Sequence, residues 1–207
     1  MKMVIAYTGP IGTNTYVVYN EISNKAFIVD PAGEVELLKG FLNDNKLTLE
    51  AVLLTHGHYD HILAVADFQK LGAKVYMHPS DVDKIKHQNI PGFESYGITI
   101  PQFTPDVLVH DNDVLNICGY KIKVMHTPGH SEGSVSYILD NIIFCGDTIF
   151  RASYGRCDFP DGSINKIKKS IKRLLSLEGD YVIYSGHGSQ TSAEYERVNN
   201  LIFRDEY

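Results

Sequence analysis

The hydrophobic positions of the chain follow two kinds of pattern that recur along its length. Short runs rich in β-branched and aromatic residues are typical of strands, and longer runs with apolar residues three and four positions apart are typical of helices. The predicted strands are Val4–Tyr7, Thr13–Tyr19, Lys25–Asp30, Ala51–Leu54, Lys74–Met77, Asp113–Ile117, Tyr120–Met125, Ser134–Leu139, Ile142–Cys145 and Tyr181–Tyr184. The predicted helices are Glu34–Asn45, Asp60–Leu71, Ser80–Lys86, Ser163–Leu177 and Ser192–Phe203.

The order of these elements predicts the fold class. A starting meander of strands is followed by alternating helices and strands, and the same kinds of element then return in the second half. This order predicts an α/β protein of two βα halves, whose sheets pack on each other with helices outside, as a four-layer αββα sandwich. With no linker or low-complexity segment, residues 1–207 are expected to form a single domain.

Composition and charge narrow the function classes. The 207 residues are 43% hydrophobic and 21% charged, which excludes a disordered or low-complexity protein. A formal net charge of −6 argues against a nucleic-acid or anionic-membrane partner. The apolar runs are far shorter than the roughly 20 residues that cross a bilayer, and the N-terminus does not resemble a signal peptide. With only three cysteines, a cytoplasmic location is expected.

The strongest chemical signal is a cluster of polar residues directly after a predicted buried strand. The six residues from His56 to His61 hold four potential metal ligands, His56, His58, Asp60 and His61. Histidine and aspartate are seldom fully buried unless they are paired or bound to a metal. One tetrahedral metal cannot take all four and a substrate water, so the spacing predicts two adjacent metals.

Three later residues supply what such a pair of metals still lacks. His130, Asp147 and His187 each follow a predicted strand and each lie next to a glycine. Ligand sites of layered α/β proteins gather at the carboxyl ends of strands, where glycine lets the backbone approach closely. Together with the first cluster they form a set of five histidines and two aspartates, which is sufficient for a dinuclear centre.

The chain resembles the metallo-β-lactamase superfamily over essentially its whole length, and within it the short, glyoxalase II-like hydrolases. The segments that carry the resemblance are His56-Gly57-His58-Tyr59-Asp60-His61, Thr127-Pro128-Gly129-His130-Ser131, Cys145-Gly146-Asp147-Thr148-Ile149-Phe150 and Gly155-Arg156-Cys157-Asp158-Phe159. The resemblance implies a metal site at one edge of the sheets. It implies that His56, His58 and His130 bind one metal, that Asp60, His61 and His187 bind the other, and that Asp147 bridges them. It also argues against a true β-lactamase, in which the positions of His61 and Asp147 generally differ.

Two divalent ions in such a site lower the pKa of a bridging water toward about 7, which makes hydroxide available at neutral pH. Zinc is the expected metal, and iron or manganese also suits these ligands. Asp60 is the expected catalytic residue, because it can orient the hydroxide as well as bind metal. A small thioester, on a thiol carrier, is the favoured substrate, since a thiol of pKa about 8.5 leaves without prior protonation.

Two residues are candidates for substrate contact. Arg156 falls where the family has a basic residue that contacts substrate, and it either binds a substrate carboxylate or pairs with Asp158. Tyr59 lies between ligands and either faces the mouth of the pocket or packs. Longer glyoxalase II enzymes carry a further C-terminal domain that grips glutathione, whereas this chain ends soon after His187. The sequence therefore leaves glutathione recognition open, while the expected thioester chemistry is unaffected.

Several alternatives stay open at the level of sequence. A persulfide dioxygenase-like oxidoreductase would hold one iron through His56, His130 and Asp147. A nuclease or lactonase of the same superfamily is a further alternative, although the acidic balance argues against the nuclease.

The protein is expected to be a monomer or small homo-oligomer. The remaining histidines, His78, His87, His110 and His126, are expected to be structural or solvated, and Phe93, Tyr96 and Phe103 form either a substrate lid or ordinary packing.

Overall fold

Residues from the first half of the chain build the first β-sheet. The structure is a computed structural model that describes residues 1–86 and 99–206. Within them, strands lie across this sheet in sequence order: β1 (Lys2–Thr8), β2 (Thr13–Asn20), β3 (Lys25–Val29), β4 (Thr48–Leu53), β5 (Lys74–Met77) and β6 (Val107–Leu108). β1 to β3 form the predicted antiparallel meander, and β3 to β6 run parallel.

The second half of the chain builds the second sheet. Its strands are β7 (Val114–Ile117), β8 (Tyr120–His126), β9 (Val135–Leu139), β10 (Ile142–Gly146), β13 (Val182–Ser185) and β14 (Thr191–Ser192). They lie in the order β14-β13-β10-β9-β8-β7, and β10 pairs with β13 in parallel. A small hairpin of β11 (Ile149–Phe150) and β12 (Ser153–Tyr154) stands apart from both sheets.

Side chains that alternate between the two faces of a strand belong to different hydrophobic cores, and this arrangement gives the fold four layers. In β3, Phe27 lies in the core between the two sheets, where it belongs to one cluster with Tyr137 and Phe144 of the second sheet. Its neighbour Ile28 points to the opposite face and packs with the helical residue Phe68. Successive strand residues face opposite sides of a sheet, so one strand serves two cores. The predicted αββα sandwich is confirmed.

The helices cover the outer faces of the sheets. They are α1 (Val35–Asp44), α2 (Tyr59–Ile62), α3 (Val65–Lys70), α4 (Ile164–Leu175) and α5 (Ala193–Asn199), with 3₁₀ helices at Pro79–Ile85 and Leu201–Glu206. On α4, Ile167, Ile171 and Leu174 are fully buried against the second sheet, and Ser163 caps the helix by accepting a hydrogen bond from Lys166 N. No helix among the described residues has the length and apolar character needed to cross a membrane.

Two predicted helices are shorter in the structure than in the sequence pattern. The prediction of one helix over Asp60–Leu71 is wrong, because the chain breaks between α2 and α3, where Ala64 N donates to Pro31 O (2.9 Å). The prediction of one helix over Ser192–Phe203 is also wrong. Asn200 is extended there, and its side chain donates to Ser153 O (2.7 Å). At Ala64 a backbone hydrogen bond distant in sequence takes the place of the helical one, whereas at Asn200 the helical bond to Glu196 O is kept and the side chain makes the distant contact.

The irregular stretch His87–Pro105 is only partly described. The prediction that His87 is solvated lies outside the described residues, as do those for Phe93 and Tyr96. Phe103 is described and is buried in the core between the first sheet and its helices. For Phe103, the alternative of ordinary packing is therefore the correct one.

The parallel strands position the functional residues. β3 and β4 of the first sheet run parallel, as do β10 and β13 of the second. Asp30 and the His56 loop follow β3 and β4, while Asp147 and His187 follow β10 and β13. Because parallel strands end at the same edge of a sheet, all four segments converge on one edge of the sandwich.

Candidate metal centre

The predicted residues come together as two groups at this edge. His56, His58 and His130 form the first group, and Asp60, His61 and His187 form the second. In each group the atoms that could bind a metal lie within 4.8 Å of one another. We call these the first cluster and the second cluster. Their membership matches the two sets of ligands that the family resemblance implies.

Asp147 lies between the two clusters. Its Oδ2 is 3.5 Å from His130 Nε2 of the first cluster and 3.7 Å from His187 Nε2 of the second. Its Oδ1 is 3.5 Å from His61 Nε2. One carboxylate therefore faces ring nitrogens of both clusters, which is the position expected of a bridging ligand.

Several buried polar atoms in this centre lack a hydrogen-bond partner among the described residues. They are His56 Nε2, His61 Nε2 and Asp147 Oδ1. Leaving such a group unpaired away from water costs roughly 1–3 kcal/mol, and native proteins rarely tolerate several together. All three atoms belong to the two clusters and the carboxylate between them. A pair of cations would satisfy all of them, so the residues present fit a dinuclear metal site.

Hydrogen bonds on the far sides of three rings fix the direction of their metal-binding nitrogens. Nδ1 of His61 lies 2.9 Å from Asp30 Oδ2, and Nδ1 of His130 lies 2.8 Å from Arg156 O. Nδ1 of His56 lies 3.1 Å from Thr55 Oγ1, whose hydroxyl donates in turn to Asp30 Oδ2 (2.6 Å). Each Nδ1 is therefore held on the side away from the clusters, and each Nε2 faces inward, which is the usual arrangement behind a metal-binding histidine.

A third group of suitable residues joins Asp30 to His56 and His61. Both oxygens of Asp30 are already in use, because Thr55 N donates to Oδ1 (2.8 Å) while Thr55 Oγ1 and His61 Nδ1 donate to Oδ2. Asp30 therefore orients His61 from behind. The sequence analysis did not assign it this role, although an aspartate at the end of an apolar strand is a signal that could have indicated it.

The electrostatics of the two clusters differ. Burial, and then the neighbouring histidines, hold the pKa values of His56 and His58 well below the ordinary value, so both rings stay neutral at neutral pH. Burial acts in the same direction on His61, but the carboxylates of Asp60, Asp147 and Asp30 outweigh it and raise its pKa well above the ordinary value. Three carboxylates around one buried ring leave excess negative charge, which a cation would neutralise.

Asp60 also carries its negative charge despite burial. Burial alone would raise the pKa of its carboxyl group, but His61 and His187 outweigh that effect and hold the pKa well below the ordinary value. Its Oδ2 lies 3.1 Å from His187 Nε2. The ionised form is the one that binds a metal or orients a water.

The first sheet holds the loop that carries His187. Asn14 N donates to Gly186 O (2.7 Å), and Asn14 Nδ2 donates to Ser185 O and Gly188 O (2.9 Å each). Glycine is required at position 186, because a Cβ there would overlap Asp147 Oδ1 and lie 2.7 Å from His61 Cε1. The close approach of this backbone brings His187 to the other two members of its cluster.

The two predicted substrate contacts lie beside the first cluster. Arg156 is exposed, pairs with Asp158 through Nε (2.7 Å) and Nη2 (2.6 Å), and stacks over Phe159 at 4.5 Å. The alternative that Arg156 pairs with Asp158 is thus realised, while binding of a substrate carboxylate stays a prediction. Phe159, which the sequence analysis missed, places its ring 4.7 Å from that of His58. Tyr59 is half-buried at the start of α2, and its role stays a prediction.

The other described histidines lie outside both clusters. His78 and His126 stack with ring centroids 4.2 Å apart, and His110 is exposed 6.0 Å from His78. Nδ1 of His78 accepts a hydrogen bond from Ser80 N (3.3 Å), so the ring caps the 3₁₀ helix Pro79–Ile85. His126 and His78 are structural, as predicted.

Stability between pH 7 and 5 is expected to depend on His78. Burial, and then His126 and His110, lower the pKa of His78 to about 4, whereas in the unfolded chain it titrates near 6.5. The unfolded state therefore binds more protons in this window, and stability falls as the pH drops from about 6.5 toward 4. His78→Asn keeps a capping oxygen without the titration. In urea unfolding with saturating metal, it should lose about 1–2 kcal/mol less than wild type between pH 7 and 5. Equal losses in the two proteins would contradict this, and His110→Asn at the exposed ring serves as the control.

Comparison with known proteins places the chain among metal-dependent enzymes. The family model described as "Metallo-beta-lactamase superfamily" matches residues 8–187. Hydroxyacylglutathione hydrolase GloC of Haemophilus influenzae is 32% identical over 90% of this chain and 91% of that protein. The probable metallo-hydrolase YqgX of Bacillus subtilis is 32% identical over 93% of this chain and 92% of its own length.

Solved structures show the same fold. BLEG-1, titled a B3 metallo-beta-lactamase, superposes with a TM-score of 0.89 at 35% identity over 98% of this chain and all of that one. TTHA1623, in a di-iron-bound form, has a TM-score of 0.84 at 31% identity over 97% of this chain and all of that one. ETHE1 from Myxococcus xanthus has a TM-score of 0.81 at 25% identity over 97% of this chain and 84% of that one. With a family model that spans most of the sequence and relatives above 30% identity over nine-tenths of it, this chain belongs to the metallo-beta-lactamase superfamily.

Proposed function

We propose that the chain is a dinuclear metal-dependent hydrolase that cleaves small thioesters. The observation that carries the proposal is a single carboxylate, Asp147, flanked by two three-residue clusters with unpartnered buried nitrogens. The proposed ligands are His56, His58 and His130 for one metal, Asp60, His61 and His187 for the other, and Asp147 for both. The similarity to GloC supports the thioester, since an acylglutathione is a thioester.

Imidazole and carboxylate ligands suit zinc, iron and manganese, and zinc is our proposal. When bound, two such cations supply an activated water and polarise the substrate carbonyl. The relative TTHA1623 in a di-iron-bound form makes iron the alternative that metal analysis must address.

The chain's own residues contribute positioning and charge. Asp60 is ionised beside His187 and His61, so its carboxylate is able to bind a metal and to orient the attacking water. Asp30, Thr55 and the Arg156 carbonyl hold the rings of His61, His56 and His130, respectively, in the orientation that binds metal. A thiolate leaves without a proton donor, which makes a thioester the best match to a site of this composition.

Substrate recognition is proposed at the side where Arg156 and Phe159 meet the first cluster. A substrate carboxylate would bind Arg156 in competition with Asp158, and Phe159 would cover the acyl group. Tyr59 would contribute a neutral hydroxyl, because burial raises its pKa. A small-molecule thioester on a thiol carrier is thus the proposed partner.

Three further expectations stay predictions. They are a cytoplasmic location, the absence of nucleic-acid and membrane partners, and a monomer or small homo-oligomer.

Two other activities have a specific observation in their favour. The similarity to ETHE1 favours the mononuclear-iron, persulfide dioxygenase-like alternative, which would use His56, His130 and Asp147. The similarity to BLEG-1, whose title names a B3 metallo-beta-lactamase, makes β-lactam hydrolysis an activity to assay, against the expectation from sequence. We favour the thioester hydrolase because two clusters that flank one carboxylate suit two metals better than one iron, and because the similarity to GloC supports a thioester. The presence of these residues does not by itself exclude the dioxygenase, so metal analysis decides between them.

Elemental analysis and activity assays on one purified sample test the proposal. We expect about two metal ions per chain, turnover of small acyl thioesters, loss of turnover after chelation, and recovery with zinc, manganese or iron. β-Lactam hydrolysis and persulfide-dependent oxygen uptake are measured on the same sample. One iron per chain with oxygen uptake and no thioester turnover would overturn the hydrolase in favour of the dioxygenase.

A further inference from the structure

A buried carboxylate outside the two clusters contacts the loops of the first one. Asp81 lies in the 3₁₀ helix Pro79–Ile85 and is fully buried. It forms no ion pair with any residue in the described ranges 1–86 and 99–206; Lys84 of the same helix binds Asp161 instead (2.7 Å). A buried carboxylate without a cation is costly unless hydrogen bonds compensate it, so its partners indicate its role.

Three hydrogen-bond donors from two loops compensate the burial of the Asp81 carboxylate. Gly57 N donates to its Oδ2 (2.9 Å), and Ser131 Oγ donates to the same oxygen (2.7 Å). Gly133 N donates to Oδ1 (2.7 Å). Gly57 stands between His56 and His58, and Ser131 directly follows His130. Asp81 therefore joins the two loops that carry all three residues of the first cluster.

The fit around Asp81 is close. A Cβ at position 133 would lie 2.6 Å from both Cγ and Oδ1 of Asp81, so only glycine lets this backbone donate to the carboxylate. The 3₁₀ helix that carries Asp81 is fixed in turn, because His78 caps it at Ser80 N. The carboxylate is thus held from its own side as well as from the two loops.

The second cluster has a different support. His61 is oriented by Asp30, and the His187 loop is held by Asn14. None of the hydrogen bonds of Asp81 reaches Asp60, His61 or His187 among the described residues. Among the described residues, the hydrogen bonds of Asp81 reach only the loops of the first cluster, whereas Asp30 contacts His61 directly and reaches His56 through Thr55.

We propose that Asp81 is a positioning residue for the first metal position alone. By fixing the spacing between the His56–His58 loop and the His130 loop, it sets the affinity of the first cluster and leaves that of the second unchanged. This inference rests on the ligand assignment of the proposed function, and it is independent of the substrate.

Asp81→Asn tests the proposal with almost no change in volume. In either orientation, the amide places an NH₂ group against the N–H of Gly57 or Gly133, so one loop loses its acceptor. In titrations of the metal-free protein with Co²⁺ or Zn²⁺, we expect one of the two binding phases to weaken about 10- to 100-fold, in line with partners that support metal ligands. The other phase should keep its wild-type affinity. Asp83→Asn, at an exposed position of the same helix, is the matched control and should leave both phases unchanged.

Two ligand variants identify the affected phase. The titration of Asp81→Asn should resemble that of His130→Ala, and combination with His187→Ala should remove the remaining tight phase. If Asp81→Asn does not fold, Ser131→Ala removes one donor and should weaken the same phase to a smaller extent. Unchanged binding of both ions, or equal weakening of both, would overturn the inference. A wild-type protein that binds fewer than two ions would instead refute the proposed function.

Discussion

Replacement of Asp147 by alanine is expected to lower kcat/KM for thioester hydrolysis by about a thousandfold or more and to reduce the bound metal. The carboxylate stands between the two clusters, within 3.7 Å of ring nitrogens from both. Its removal leaves the rings of His61, His130 and His187 without the carboxylate that lies between them, in the space where cations would bind. Losses of this order are typical when a preorganised charge at a reacting centre is deleted.

The experiment compares kinetics and metal content in the same preparation. Asp147→Asn keeps the volume and one acceptor oxygen, so it should retain more metal than the alanine variant while losing most activity. Asp44→Ala, at the exposed end of α1, is the control for loss of one acidic charge. Full turnover together with full metal content in Asp147→Ala would exclude the proposed role of this carboxylate.

Gly186→Ala is expected to lower activity by about a hundredfold or more, although it adds only a methyl group. The new Cβ would overlap Asp147 Oδ1 and lie 2.7 Å from His61 Cε1, so both side chains or the His187 loop must move. A displacement near 1 Å in a catalytic constellation is sufficient for a loss of that size. Thioester kinetics and metal titration together measure it, and the second cluster should be the weaker one.

Gly188→Ala is the matched variant on the other side of His187. Gly188 has a positive φ of 73°, and a Cβ there would meet nothing within 4 Å. This change should cost about 1 kcal/mol of stability through backbone strain and leave activity within a few-fold of wild type. Comparable losses of activity in the two variants would mean that steric fit around Asp147 is not the reason for glycine at position 186.

The sequence was sufficient to predict which candidate ligand residues come together, because the local pattern does not explain their positions. Histidines and aspartates at the ends of apolar strands have no packing explanation, and each pair of parallel strands ends at one sheet edge. Asp30 also follows an apolar strand, but the partners of Asp30 and Asp81 lie 24 to 52 positions away and no local pattern connects them. Asp81 lacks even the strand-end signal, because a single aspartate in a short helix is ordinary at the level of sequence.

The difference between local patterns and contacts distant in sequence also explains the errors in the predicted secondary structure. The apolar pattern over Asp60–Leu71 is helical, but the break at Ala64 depends on a hydrogen bond to Pro31 that no local pattern contains. The two-residue strands β6, β11, β12 and β14 are too short to show an alternation. Local patterns therefore predicted the long elements, while contacts distant in sequence decided where they end.

The hydrogen bonds that Asn14 donates to residues 185–188 have a consequence for biosynthesis. A ribosome makes β2 early and the His187 loop near the end of the chain, so the first cluster is encoded in full well before the second. During translation a nascent polypeptide can display His56, His58 and His130 while the second cluster holds Asp60 and His61 but still lacks His187. Under the proposed ligand assignment, loading of both ions would therefore wait until the last β-strands have emerged and docked, which would separate synthesis of the protein from the onset of its reactivity.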